Sequence, residues 1–386
     1  MTGHVETLPL LRPQTRAVAR FSAWLREYGW LVGWWLAGRA VVIVTAYVVN
    51  IVGPSGYLKG DLHAHPLGLL ASWDGRWYQI VASRGYLLVP GSQSDPAFFP
   101  LFPLLLRWLH ALGIGYATAG ILISNLALVA ALFAFHALSR ELVGATLARR
   151  ATTYVAIFPL GYVFSMAYPE SIVLGLIALA AFAALRDRWI LAAVCAGAAS
   201  LARPEGLFVA LPLLAIAVRR RQTMTPLRRG LALGAVAAPA AGLAAYPLYL
   251  AWVLHDPLAW NQAQQAWGRH FSPVGFVHAF AQLPQAVSGN VWVVRDVVCL
   301  FLYLGLIAVA RRAGVPRAWL MAALAIVALP VFSGTFDSIG RFGLLAPPIF
   351  WGLASLGRPR IADTAIRVIS IALLIAATVT IPFMYP

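Results

Sequence analysis

Residues 97–113 read AFFPLFPLLLRWLHALG, and the side of the membrane on which every later loop lies depends on how this stretch is read. It is apolar enough to cross a bilayer, yet it carries Pro100, Pro103, Arg107 and His110. The rest of the chain leaves no doubt that a bilayer is involved. Its 386 residues are 61% apolar and 11% charged, whereas soluble domains are about 45–50% apolar and about 25% charged. A single water-soluble globule is therefore excluded.

Apolar stretches long enough to approach the roughly 20 helical residues a bilayer needs run 30–52, 117–139, 151–167, 170–185, 189–202, 204–218, 230–254, 291–310, 318–333, 341–356 and 364–383. The first is too long for a signal-peptide core of about 7–15 residues, so it reads as an uncleaved span. The pair 189–202 and 204–218 is short and hinged at Arg203-Pro204, as expected where backbone lines a cavity.

Arginine placement decides the side of 97–113. If it does not cross, segments 1–29, 140–150, 186–188, 219–229, 311–317 and 357–367 face the cytoplasm and hold 20 basic residues against five acids. The opposite side then holds eight of each. That asymmetry is what the positive-inside rule demands. If it does cross, five of those six loops move outside. The sequence thus predicts an all-α integral membrane bundle of 11 spans with a cytoplasmic N-terminal segment, 1–29. A single membrane domain, 30–386, follows, with 97–113 re-entrant or surface-lying. The net charge of +16 follows from topology and does not imply nucleic-acid binding. Cys195 and Cys299 lie inside apolar stretches and suggest neither a disulfide nor a metal site.

Two long outer loops emerge, 53–116 (including the re-entrant segment) and 255–290. The outer acids are Asp61, Asp74, Asp95, Glu170, Glu205, Asp256, Asp296 and Asp337. Ionisable groups near membrane depth are costly and mark functional sites by default. In HPLGLLASWDGRWYQIVASRGY, residues 65–86, Leu69, Trp73, Trp77 and Ile80 recur at helical spacing, widened by Leu70 and Val81. Ser72, Arg76, Gln79 and Ser83 take the other side. This predicts an amphipathic interfacial helix with Asp74 at the edge of its apolar stripe. Two readings of Asp74 stand side by side: a carboxylate meeting lipid-borne and water-borne reactants, or a cap on the helix terminus.

Asp61, His63 and His65 alternate along an extended stretch, which suits either a metal site or an ordinary histidine-bearing loop. Trp260, Gln262, Gln264, Gln265 and Trp267 are the residue types that stack on and hydrogen-bond a sugar, or that anchor a chain at the interface. The aromatic-proline run 97–103 is expected to close the lipid side of a cavity, with Phe98 and Phe99 admitting a lipid chain. A transporter or flippase is the rival class, but inverted repeats and midplane charges are not seen in the sequence.

Ser72-Trp73-Asp74-Gly75, Gly85-Tyr86 and Ala97-Phe98-Phe99-Pro100-Leu101-Phe102-Pro103 together resemble the PIG-V family. Its members are membrane mannosyltransferases that add the second mannose of GPI anchors, and bacteria carry similar proteins. The resemblance continues at Tyr168-Pro169-Glu170-Ser171, Leu201-Ala202-Arg203-Pro204-Glu205-Gly206, Gly340-Arg341-Phe342 and the run from Asp256-Pro257-Leu258 to Trp267-Gly268-Arg269. Pro169 stands where the family usually has Thr or Ser.

What the resemblance implies is a GT-C glycosyltransferase, inverting at the anomeric carbon and fed by polyprenyl-phosphate-mannose or another polyprenyl-phosphate sugar. Asp74 matches its catalytic base. Arg341 and Arg203 are candidates to clamp the leaving phosphate, the alternative being side chains that snorkel to the interface. Glu170, Arg76, Trp73, Tyr78 and Asp337 complete the substrate-binding set, and Trp267, Gln264 and Asp256 are candidates for the acceptor. No cofactor is expected beyond the lipid-linked donor as co-substrate. The expected acceptor is an extracytoplasmic glycolipid, glycan or glycoprotein. The 28:1 excess of arginine over lysine points to a GC-rich bacterial genome, hence to a bacterial plasma membrane.

Overall fold

The computed structural model describes residues 13–53 and 64–384, which contain sixteen α-helices, short 3-10 turns and no strand. The first helix, α1 (Pro13–Val52), runs without a break from within the expected N-terminal segment into the first span. Next come α2 (Asp74–Arg84), α3 (Leu101–Ala111), α4 (Tyr116–Val143), α5 (Ala145–Ile157), α6 (Glu170–Leu185), α7 (Trp189–Ala202) and α8 (Ala210–Arg220). The second half holds α9 (Pro226–Leu254), α10 (Ala259–Ala266), α11 (Gly275–Gly289), α12 (Val291–Arg312), α13 (Arg317–Phe332), α14 (Ile339–Phe342), α15 (Pro347–Leu356) and α16 (Arg360–Thr380).

Five of these contain stretches long and apolar enough to cross a bilayer: Trp24–Val52, Tyr116–Val143, Pro226–Leu254, Val291–Arg312 and Arg360–Thr380. The pair Ile339–Leu345 and Pro347–Leu356, bent by 87°, makes a sixth if counted as one broken span. The other expected spans are shorter helices. At 11 residues, α3 is only about 16 Å long, half of a bilayer core of about 30 Å.

Three expected spans are not single helices, and two of them break at prolines. The stretch 151–167 is not one helix: α5 stops at Ile157, because Pro159 disfavours helical geometry at Phe158. A 3-10 turn, Gly161–Ser165, follows. Arg39 of α1, buried, serves the backbone freed by this break. It donates to the carbonyls of Ala156 and Gly161, both at 3.0 Å, and to Ser165 Oγ at 2.7 Å. The stretch 204–218 opens as a 3-10 turn, Pro204–Val209, before α8 begins. In 341–356, Pro347 and Pro348 restart the helix in a new direction.

The centre of the bundle is α6, packed on α4 and α7, with α7 in turn on α9. On the other side α12 packs on α15, and α15 on α5. Small residues let these helices close up: a Cβ on Gly242 of α9 would lie 2.3 Å from the Gly197 carbonyl oxygen of α7. Large apolar side chains stay exposed on the outer helices, among them Leu248, Trp252, Val298 and Phe301. In water that surface would be untenable, and in a bilayer it is the expected lipid face.

Candidate active site

Asp74 is the first residue of α2, with its side chain only 5% exposed. Trp73 before it has φ 55°, a left-handed conformation that costs a bulky side chain of order 1–3 kcal/mol and clusters at functional sites. The indole pins this turn by donating to the Ile381 carbonyl at 2.8 Å. The Asp74 N–H, one of the donors a helix start leaves unpaired, donates to Tyr168 Oη at 3.1 Å. Ser124 Oγ holds the Tyr168 carbonyl at 2.8 Å. At Gly75 a Cβ would press on Ala167 at 3.3 Å, so glycine lets the turn sit against that strut.

The expected amphipathic helix is present but starts five residues later than Leu69, which lies in a separate 3-10 turn. Its buried face also differs. Asp74, Gly75, Tyr78, Val81 and Ala82 turn inward, whereas Trp73 is exposed and Trp77 and Ile80 half-buried. Gln79, expected on the polar side, is buried and donates to the carbonyls of Ala71 (2.9 Å) and Gly75 (3.0 Å). Burial drives the Tyr78 hydroxyl well above the ordinary phenol range, with nearby Arg203 pulling the other way, so it stays a neutral donor.

Opposite Asp74 is Arg341, whose Nη1 donates to Asp74 Oδ2 at 2.5 Å. Its loop is rigidly mounted. Asp296 of α12 accepts from Gly340 N at 2.8 Å and Ser338 N at 3.1 Å, and Tyr303 Oη donates to the Gly340 carbonyl at 2.6 Å. Ser338 has φ 74°, and a Cβ on Gly340 would fall 2.9 Å from Asp296 Oδ1. Asp296 stands out in the sequence only as one outer acid among eight. Its position inside an apolar span, next to Arg295, was the available signal.

The ion pair extends inward. Glu170 Oε1 lies 3.9 Å from Arg341 Nη1 and accepts from Arg203 Nη1 at 2.5 Å. Arg203 also makes a two-pronged contact with Glu205, both bonds 3.0 Å. Its guanidinium, like that of Arg269, lies over the Phe342 ring, at 4.9 and 5.5 Å respectively. Asp74, Arg341, Glu170, Arg203 and Glu205, scattered over 268 positions of the chain, thus form one buried alternating series.

Beside this series opens a cavity of about 910 Å³. Asp74, Arg341, Arg203, Trp73, Tyr78, Asp337, Trp267 and Gln264, all candidates from the sequence, line it. Glu170 is fully buried behind the arginines, and Arg76 and Asp256 are not part of the lining. Asp256 instead closes the turn into α10, accepting from Leu258 N at 2.8 Å and Gln262 Nε2 at 2.6 Å. Asp61 and His63 lie outside the described residues. His65 is engaged locally, its Nδ1 accepting from Leu67 N at 3.1 Å and its Nε2 3.0 Å from Thr118 Oγ1.

The aromatic wall is built by long-range packing. Trp77 stacks on Phe98 (5.7 Å, 11°), and Trp267 meets both rings edge-on at 5.7 and 5.9 Å. Gln264 is tied to the Ala97 carbonyl at 3.1 Å. Sequence reading did not single out Arg269, Tyr246 and Trp292 as lining residues; Arg269 stands in the Trp267-Gly268-Arg269 run, which was its available signal, while nothing but position after folding distinguishes Tyr246 and Trp292.

An all-α bundle with several helices long and apolar enough to cross a bilayer, and a charged site beside a largely apolar cavity, is the class this architecture defines. Among solved structures, that of ArnT from Cupriavidus metallidurans bound to undecaprenyl phosphate is similar, with a TM-score of 0.51 at 15% identity over 90% of this chain and 63% of that one. The archaeal oligosaccharyltransferase AglB from Archaeoglobus fulgidus, in complex with an inhibitory peptide and a dolichol-phosphate, gives 0.46 at 13% identity, over 93% and 56%. The chain thus spans 63% of the length of ArnT, and the likeness is one of fold. No protein-family model matches the sequence, and no curated protein matches it significantly.

Proposed function

We propose that the chain is a membrane glycosyltransferase that moves mannose, with inversion, from polyprenyl-phosphate-mannose to an extracytoplasmic glycolipid, glycan or glycoprotein. The observation that carries this reading is the pairing of Asp74 with Arg341 at the wall of a cavity whose remaining lining is mostly aromatic and aliphatic. A lipid-linked sugar phosphate needs both: charge for the phosphate and apolar surface for its chain. Placement of the arginines supports a site on the outer face, and their 28:1 excess over lysine supports a bacterial plasma membrane.

In the reaction, an acceptor hydroxyl oxygen attacks C1 of the sugar while Asp74 takes its proton. The bond from C1 to the phosphate oxygen breaks, and its electron pair leaves on the phosphate. Arg341 meets that growing charge with a charge-assisted hydrogen bond. General-base help of this kind contributes about 10²–10⁴-fold.

The test is transfer from radiolabelled polyprenyl-phosphate-mannose in membranes holding equal amounts of wild type or Asp74→Asn. Transfer by wild type that falls at least a hundredfold in Asp74→Asn is the expected result. Undiminished transfer by the variant removes Asp74 as base, and no transfer by wild type removes mannose as the donated sugar.

A further inference from the structure

The contact that defines the site also obstructs it. To act as a base, Asp74 must offer an oxygen to an acceptor hydroxyl. Arg341 Nη1 occupies its Oδ2 at 2.5 Å, with both side chains only 5% exposed. The same guanidinium lines the cavity, together with those of Arg203 and Arg269, and it cannot hold both Asp74 and a donor phosphate at full strength.

Arg203 and Arg341 differ in their carboxylate partners, while each lies over an aromatic ring, Arg341 over Tyr168 at 5.6 Å. Arg203 is held by two carboxylates, with bonds of 2.5, 3.0 and 3.0 Å, and it lies over Phe342. Arg341 has a second carboxylate within reach: Glu170 Oε1 is 3.9 Å away. Glu170 Oε2 is shielded from solvent and has no hydrogen-bond partner among the described residues. A buried carboxylate oxygen without a donor is costly, and a turn of Arg341 toward Glu170 would supply one.

We infer that Arg341 is a latch on Asp74, opened by the phosphate of the donor lipid. In the empty site the guanidinium holds the base. When a phosphate attached to a lipid chain enters, Arg341 turns onto it, with Glu170 as the positioning residue that steadies the turned guanidinium, and Asp74 is bared to the acceptor. Proton abstraction therefore waits for the donor. This inference rests on the reading of Asp74 as base and deepens it.

The test uses the full chain in lipid nanodiscs, with a water-soluble carbodiimide and a labelled amine, and follows labelling of the Asp74 peptide. Geranylgeranyl phosphate is the probe and geranylgeraniol its uncharged control, with binding of each followed in parallel by tryptophan fluorescence. The phosphate should speed Asp74 labelling roughly ten- to a hundredfold, the range a charge-assisted hydrogen bond controls, and the alcohol should not. Arg341→Gln should label fast with or without lipid, and Glu170→Gln should blunt the response to phosphate. Phosphate that binds without speeding the labelling overturns the latch and leaves the glycosyltransferase reading standing, as does Arg341→Gln labelling no faster than wild type. Phosphate that binds no better than the alcohol overturns the donor reading, and the latch with it.

Discussion

Replacing Arg203 with methionine would strand two carboxylates that are both fully buried, Glu170 and Glu205. The guanidinium now makes bonds of 2.5, 3.0 and 3.0 Å to them. With charge centres about 4 Å apart and an effective dielectric of about 20, each pairing is worth roughly 4 kcal/mol before desolvation is subtracted. Desolvation of the guanidinium cancels part of this, and breaking a buried pair typically costs about 3–5 kcal/mol. At about 2 °C per kcal/mol, the slope for larger domains, Tm should fall by roughly 6–10 °C. The triple variant Arg203→Met, Glu170→Gln, Glu205→Gln should recover most of that, because neutralising a whole buried cluster is often neutral or better. Thermal unfolding in detergent, followed by intrinsic fluorescence, measures both. A triple variant as unstable as the single one would refute the electrostatic account and shift the role of Arg203 to packing over Phe342.

Asp296→Asn keeps one acceptor where two backbone N–H groups now converge, so the loop bearing Arg341 should loosen at a cost of about 1–3 kcal/mol; kcat should fall more than Tm predicts, read from steady-state kinetics beside unfolding curves. Gly206→Ala would bring a Cβ to 2.3 Å from the Ala199 carbonyl carbon and 2.5 Å from Ser200 N. Because both are backbone atoms, α7 must shift, and a loss of about 1–3 kcal/mol or more is expected in the same unfolding assay. Trp267→Ala removes the edge-on ring against Trp77 and Phe98; acceptor KM should rise while donor KM holds, and equal changes in both would count against an acceptor wall. Phe98→Ala with Phe99→Ala should raise the donor requirement, since both rings line the cavity; an unchanged requirement would dispose of a role in admitting lipid.

Much of the site was legible before folding. Asp74 and Arg341 stand in short runs, Trp-Asp-Gly and Gly-Arg-Phe, whose residue types suit their local surroundings, with a carboxylate at a helix start and glycines where a Cβ would be crowded. Arg203 and Glu205 are two residues apart, so their pairing is almost local. By contrast, the role of Asp296 depends on a loop more than 40 residues away. The helix carrying Asp74 buries Tyr78 and Gln79 rather than its tryptophan stripe. Periodicity reports how apolar a face is, and here a protein interior competes with lipid for the same kind of surface.

Composition by itself determined that this is an all-α chain with helices apolar enough for a bilayer, and arginine placement set the expectation that 97–113 makes no full crossing, because hydrophobic transfer and the positive-inside bias act segment by segment. Which expected spans are continuous was decided by tertiary structure: α5 ends at Ile157, ahead of Pro159, and the Ala156 and Gly161 carbonyls beside the break are taken by Arg39, more than 110 residues earlier in the chain. The Asp74–Arg341 pair, 267 residues apart, was decided the same way. Two charges so distant in sequence share a buried site only when the helices between them pack, and no local preference encodes that distance.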